Sequence, residues 1–352
     1  MVITWTQLLQ PSEHHLLSFP SIAHAIKAAL VGLFILGIQA NALEPSTLEH
    51  TDQSCKQFLH DMQRVQKIAA PNCTGQSFKE LNDCFQANLL RKGERSQQTD
   101  EGETSPEFVE LIRSFTLFLE PIRPKDKNYD VIVVLGSLFS NMQTRLASVL
   151  TLLQEGNLNS KMIVFLGSDR RMSAEMESKK ILVQHKIGGL MGKYPSNEIP
   201  LPTTETEAIH YILKCSDLPA NTPPDKVLHT LARADQPRAT TQDTIRTLVA
   251  DKDVYDRSKT FLFVSSQPYG LLQEASIRAV LGPDVRFDML ADDSLVTHYG
   301  LEPAFAQKQL KDTFARLLYQ AKKNLEEGHS KSCPLLRPLA AHSMKETPHD
   351  EF

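Results

Sequence analysis

The sequence predicts an α/β fold, a doubly wound, mainly parallel five-stranded Rossmann-like sheet preceded by an N-terminal helical extension, and three observations predict it. After Asn128, near-continuous apolar runs alternate with amphipathic stretches, the pattern of βαβ units whose strands are covered on both faces. The runs end in small and polar residues, as at Gly136-Ser137, Gly167-Ser168 and Ser265-Ser266-Gln267, which suits tight strand-to-helix turns. Before Asn128 the apolar residues recur three and four apart, the period of a helix.

The elements follow in order. Residues 1–42 contain the most apolar stretch, Ala28 to Ile38, after the single charge of Lys27 and before Ala40-Asn41-Ala42, a small-x-small pattern. It is short for a span and fits a secretory signal peptide; an uncleaved membrane anchor and a buried or amphipathic helix are the other readings. Export to the periplasm or secretion is therefore expected, or anchoring that faces the periplasm, with membrane contact confined to residues 22–43 if the segment is retained. Residues 43–126 form the helical extension, with helices over 46–70, Ser77–Leu90 and Pro106–Glu120, and a polar, charged linker near 91–105. Residues 127–327 are the α/β domain. Its strands are expected at YDVIVVLG, KMIVFLG, KVLHTLA, TFLFVSS and VRFDML. Its helices are expected at MQTRLASVLTLLQEGN, SAEMESKKILVQHK, ETEAIHYILKC, TQDTIRTLVAD, the stretch up to Leu281, and 304–326. Residues 328–352 lack periodicity and read as an irregular tail.

The 352 residues are 41% hydrophobic and 23% charged with formal net charge -4, enough apolar material for a large core. No basic run with interleaved aromatics exists, so nucleic acid is not an expected partner. Of the five cysteines, Cys55, Cys73 and Cys84 cluster and Cys215 and Cys333 stand apart. In an oxidising compartment two of the first three are expected to pair and close a helical hairpin; spacing does not choose which two. No metal-ligand spacing is present, so no metal site is expected. The absence of both G-x-G-x-x-G and a Walker loop leaves any cofactor unspecified.

Ligands of doubly wound sheets sit outside the carboxyl ends of the strands, and the loops there are dense in polar residues. The expected ligand-binding set is Gly136, Ser137, Arg145, Gly167, Ser168, Arg170, Thr240, Thr241, Ser265, Ser266 and Gln267, with Asn141, Arg171, Arg233, Asp235 and Arg238 nearby. Backbone amides and hydroxyls at helix starts, with arginines beside them, suit a phosphate or carboxylate. Glu207 and Asp243 are the expected acid/base pair. Capping competes with these roles at Ser168, Thr240, Thr241 and Asp243.

The strand DVIVVLGS, the helix RLASVLTLLQEG, the strand MIVFLGS, Glu207-Ala208, ATTQDTIRTL and FLFVSSQPYGLLQEASIRAVLG, in this order, resemble the SanA/YdcF-like family of bacterial envelope-associated proteins. The resemblance covers about Tyr129 to Gly282. It implies an α/β fold and an envelope location. Family members commonly carry His and Arg after the fourth strand, where this sequence has Gly270 and Gln273. His and Arg suit proton transfer and phosphate stabilisation. Two functions follow as expectations. One is a binding protein, hydrolase or transferase for a small anionic, phosphorylated ligand. The other is a non-catalytic factor that binds a protein partner through the helical extension.

Overall fold

Strand residues alternate between two apolar layers, as a period of two requires. On one face Ile132, Val134, Ile163, Phe165, Leu262, Val264 and Leu290 pack in one cluster. On the other, Val131, Val133, Leu135, Val164, Leu166, Phe261, Phe263, Phe287 and Met289 pack in a second. The strands are β1 (Asn128–Leu135), β2 (Asn159–Ser168), β3 (Asp225–Thr230), β4 (Phe261–Ser266) and β5 (Phe287–Asp292). They form one five-stranded sheet in the order β3-β2-β1-β4-β5, every pairing parallel. All five strands fall on the apolar runs of the sequence.

The computed structural model describes residues 53–90, 104–173, 177, 201–216, 218–236, 238–292, 300–301, 303–330 and 332–336. All of these lie in one unit, Leu48–Phe352. The expectations for residues 1–42, for most of the 91–105 linker and for the helix SAEMESKKILVQHK, apart from Ser173 and Glu177, lie outside the described residues. Among those described, no helix is long and apolar enough to cross a membrane.

The helices are α1 (Gln53–Ala69), α2 (Phe78–Asn88), α3 (Pro106–Arg113), α4 (Thr116–Leu119), α5 (Phe139–Gln154), α6 (Glu205–Cys215), α7 (Thr241–Ala250), α8 (Gly270–Leu281) and α9 (Ala304–Glu326). The apolar sides of α5 and α6 join the first cluster, and those of α7 and α8 the second. A third cluster gathers α1 to α4 with α9 and reaches Ala275, Leu271 and Leu272 of α8. The helical extension thus shares its core with the last helix of the α/β domain. At its end Ile122 forms an antiparallel bridge with Ala291 of β5.

The helix expected over Pro106–Glu120 is two helices. Ser114 donates from its hydroxyl to Leu111 O at 2.7 Å, a local bond that competes with helix continuation. The break lets Phe115 and Phe118 both reach Phe314 of α9, with ring centroids at 5.9 and 4.6 Å.

The cysteine expectation needs correction at Cys333. It is bonded to Cys55, 278 residues away, and Cys73 is bonded to Cys84. Cys215 is free and buried. Of the segment read as tail, residues 328–330 and 332–336 are described and form no helix or strand, yet they are fastened: Leu336 is fully buried, and its carbonyl accepts from Leu117 N at 3.0 Å.

At the amino ends of the strands, Asp130 accepts from Lys161 Nζ at 2.7 Å, and from the Thr260 amide and hydroxyl at 2.9 and 3.1 Å. The Lys161 bond and then the Thr260 amide hold its pKa down to about 2, against 3.8 when unperturbed. A depressed carboxylate stabilises the fold above its unfolded pKa, and the contribution disappears as pH falls through the folded value. Asp130→Asn is expected to cost about 1 kcal/mol at pH 7, the exposed Lys161 screening the rest. The difference from the parent should vanish between about pH 4 and pH 2 in denaturant melts.

Candidate functional site

The chain reverses direction across the sheet between β1 and β4, whose following helices lie on opposite faces. This is the topological switch point where doubly wound folds bind ligands. Here the chain fills it with its own side chain. Arg145 of α5 is 1% exposed. Its Nη1 donates to Leu135 O at 2.7 Å and Gly136 O at 3.1 Å, and its Nε to Ser266 Oγ at 3.1 Å. The guanidinium therefore clamps the ends of β1 and β4 together, facing inward.

The β4 turn is closed in the same manner. Ser265 donates to Gln273 Oε1, and Ser265, Ser266 and Gln267 are fully buried. Gln267 N donates to Asp292 O at 2.6 Å, and its Nε2 donates to Glu120 O at 2.6 Å, fastening the turn to the helical layer. The Gln267–Pro268 peptide is cis. Tyr269 donates to Gln309 Oε1 at 3.0 Å. Gln273 thus serves as the acceptor for Ser265. Arg278, in the last turn of α8, stacks its guanidinium over Phe287 at the start of β5, 3.9 Å from the ring centroid.

The two expected acid/base residues are caps. Glu207 is exposed and completes a capping box with Thr204 at the start of α6. Its carboxylate accepts from the Thr203 amide and hydroxyl, both at 2.7 Å, and these bonds lower its pKa. Asp243 completes the same motif with Thr240 on α7. It pairs with Arg246 at 2.9 Å and Arg233 at 3.4 Å. Burial works to raise its pKa, but the Thr240 hydroxyl and amide and the two arginines outweigh it and leave the pKa lowered. Thr241 opens α7 as its first residue.

The polar residues that do gather lie at the ends of β1 and β2. Ser168 Oγ donates to Glu205 Oε2 at 2.6 Å, and the two residues are 2% and 6% exposed. Arg170 reaches Glu205 Oε1 at 3.4 Å and Glu177 Oε2 at 2.9 Å, and donates to Ser137 O at 2.9 Å. Burial tends to lower the Arg170 pKa, but its bonds to Glu177 and the charge of Glu205 prevail and raise it. Ser137 Oγ accepts from Asn141 Nδ2 at 3.0 Å. Asp169 ties this loop to the next by accepting from Ala232 N at 3.2 Å. Arg171 is exposed beside it.

Two glycines permit this assembly. A Cβ on Gly136 would lie 2.5 Å from Leu166 O and 2.8 Å from Glu205 Oε2. One on Gly167 would lie 2.6 Å from Thr206 Oγ1. Glycine is needed at both because the first turn of α6 presses onto the strand ends.

The structure thus brings together Gly136, Ser137, Gly167, Ser168 and Arg170 of the expected set. It places Arg145 and Ser266 inside the switch point, Ser265 and Gln267 buried in the β4 turn, and Thr240, Thr241, Asp243 and Glu207 at helix starts. Glu205 and Glu177 were not expected. A signal for Glu205 was present: Thr204-x-x-Glu207 is a capping box, which assigns Glu207 to the helix and leaves Glu205 as the first-turn carboxylate free for another role. Among the described residues, no group of His, Cys, Asp and Glu is arranged to hold a metal ion. No protein-family model, curated protein or solved structure matches the chain.

Proposed function

We propose that this chain binds a small anionic ligand, one carrying a phosphate or carboxylate, at the carboxyl ends of β1 and β2, and that Glu205 is its proton acceptor. The observation that carries this reading is the 2.6 Å bond from Ser168 to Glu205 beside Arg170. It places a hydroxyl, a buried carboxylate and a guanidinium side by side on the rim where such folds act. A carboxylate holding a hydroxyl at this distance is positioned to draw a proton from a ligand or water, and the guanidinium to meet developing negative charge. Hydrolysis or group transfer is the matching reaction class.

Likeness to SanA/YdcF-like proteins and location in the cell envelope belong to the same proposal. The Cys55–Cys333 and Cys73–Cys84 bridges support export, since such bonds persist in oxidising compartments. One observation favours the second function, a non-catalytic factor that docks a protein on its helical layer. The β4 turn, where SanA/YdcF-like proteins commonly carry His and Arg and this chain has Gly270 and Gln273, has side chains already bonded inside the protein.

A thermal-shift screen against nucleotides, sugar phosphates and polyprenyl-type phosphates separates the two. At ligand concentrations about 100 times Kd the parent should gain about 2.7 kcal/mol. Ser168→Ala and Glu205→Gln should abolish the shift. A parent that no compound stabilises supports the docking function instead.

A further inference from the structure

The proposed site holds two carboxyl groups, Glu177 and Glu205, against the single guanidinium of Arg170, an unsuitable balance for an incoming anion. The contacts of Glu177 resolve this. Its Oε1 accepts from Phe139 N at 2.7 Å, an amide at the start of the 16-residue helix α5. Its Oε2 accepts from Ser173 N at 2.9 Å and Arg170 Nη1 at 2.9 Å, and Arg170 Nη2 lies 3.3 Å from Oε1. Two backbone amides and a guanidinium fork converge on one carboxylate, the donor set that holds a ligand phosphate or carboxylate. Glu177 itself is 4% exposed.

A separate observation points to the same place. Gln143, one helical turn beyond Phe139 on the same side of α5, is 1% exposed. Neither its amide nitrogen nor its oxygen has a hydrogen-bond partner among the described residues. Helical side chains lean toward the helix N-terminus, which carries this amide over the first turn of α5, toward Phe139. Buried polar groups are normally bonded, and the Gln143 amide, one turn into the helix whose first amide Glu177 holds, is not.

We infer that Glu177 occupies the place of the ligand's anionic group: Phe139 N, Ser173 N and Arg170 form a subsite for one phosphate or carboxylate, which a ligand enters by exchange with Glu177. The exchange is charge for charge, so Arg170 keeps two negative partners throughout. Gln143 then meets a polar atom next to that anionic group. This inference rests on the ligand-binding function proposed above and names its anion subsite and an internal competitor.

Isothermal titration of the full chain, parent and Glu177→Gln, with inorganic phosphate and with acetate tests it, sodium chloride of equal ionic strength being the reference. Removing the competitor should tighten binding of at least one oxyanion about tenfold, and the preferred one identifies the ligand's group. Equal or weaker binding by Glu177→Gln overturns the exchange. If the parent's binding is then lost in Glu205→Gln, the proposed function stands without it. If neither protein binds either oxyanion, both fall. Should Glu177→Gln not fold, amide-detected NMR of the parent decides: the Phe139 and Ser173 signals should move with phosphate or acetate. Movement confined to other amides overturns the inference.

Discussion

Replacing Cys55 and Cys333 together by alanine is expected to cost about 4 kcal/mol and to lower Tm by on the order of 10 °C. The bridge closes a loop of 278 residues, and in the chain-entropy account a loop of that size contributes about 5.6 kcal/mol. It also fixes local packing. Cys333 N donates to Ser54 Oγ at 3.1 Å, and the chain then delivers the fully buried Leu336 to α4. The double variant should therefore expose residues after Gly328 to protease before the sheet unfolds. The Cys73–Cys84 bridge spans 11 residues, and its removal should cost less, about 2–3 kcal/mol. Denaturant melts of the two double variants check the order. Equal costs would show that closing the long loop contributes nothing beyond local packing.

Arg145→Met is the second large effect, a loss of about 3–5 kcal/mol. Methionine has similar length but no donors, so Leu135 O, Gly136 O and Ser266 Oγ lose their bonds from the guanidinium at the switch point. Arg145→Lys should recover only part of the loss, because an ammonium cannot reproduce a fork aimed at three acceptors. An exposed, ligand-facing arginine would behave in the opposite way: both substitutions would leave the melting curve near the parent and weaken binding instead. Melts of the two variants without ligand separate these roles.

The sheet was legible because its strands are buried on both faces. Runs such as Val131 to Leu135 announce themselves with no alternation to decode. The terminal helix was equally plain, observed over Ala304–Glu326 where its period placed it. The break at Ser114 was hidden, since it depends on Phe115 and Phe118 meeting Phe314 about two hundred residues later. The partner of Cys333 was hidden for the same reason: chain spacing carries no information about a contact made only in the folded state.

At the site the sequence located the rim but not the division of labour. Arginine at position 145 reads as an exposed anion binder until burial turns it inward. Glu207 and Asp243 are the carboxylates that local motifs single out, and those motifs are capping boxes. Glu205 gains its role only because Gly136 admits its carboxylate beside Ser168. Glu177 gains its role through its contacts with Phe139 N and Arg170. Both are tertiary facts.

The most direct test of a ligand site at the ends of β1 and β2 is a crystal structure grown with the best-stabilising compound of the thermal-shift screen. Its anionic group should lie against Phe139 N and Arg170, with a polar atom within hydrogen-bond reach of Ser168 or Glu205. Density for the compound at the β4 turn, at the start of α7 or on the helical layer, with Glu177 still bonded to Arg170, would contradict it.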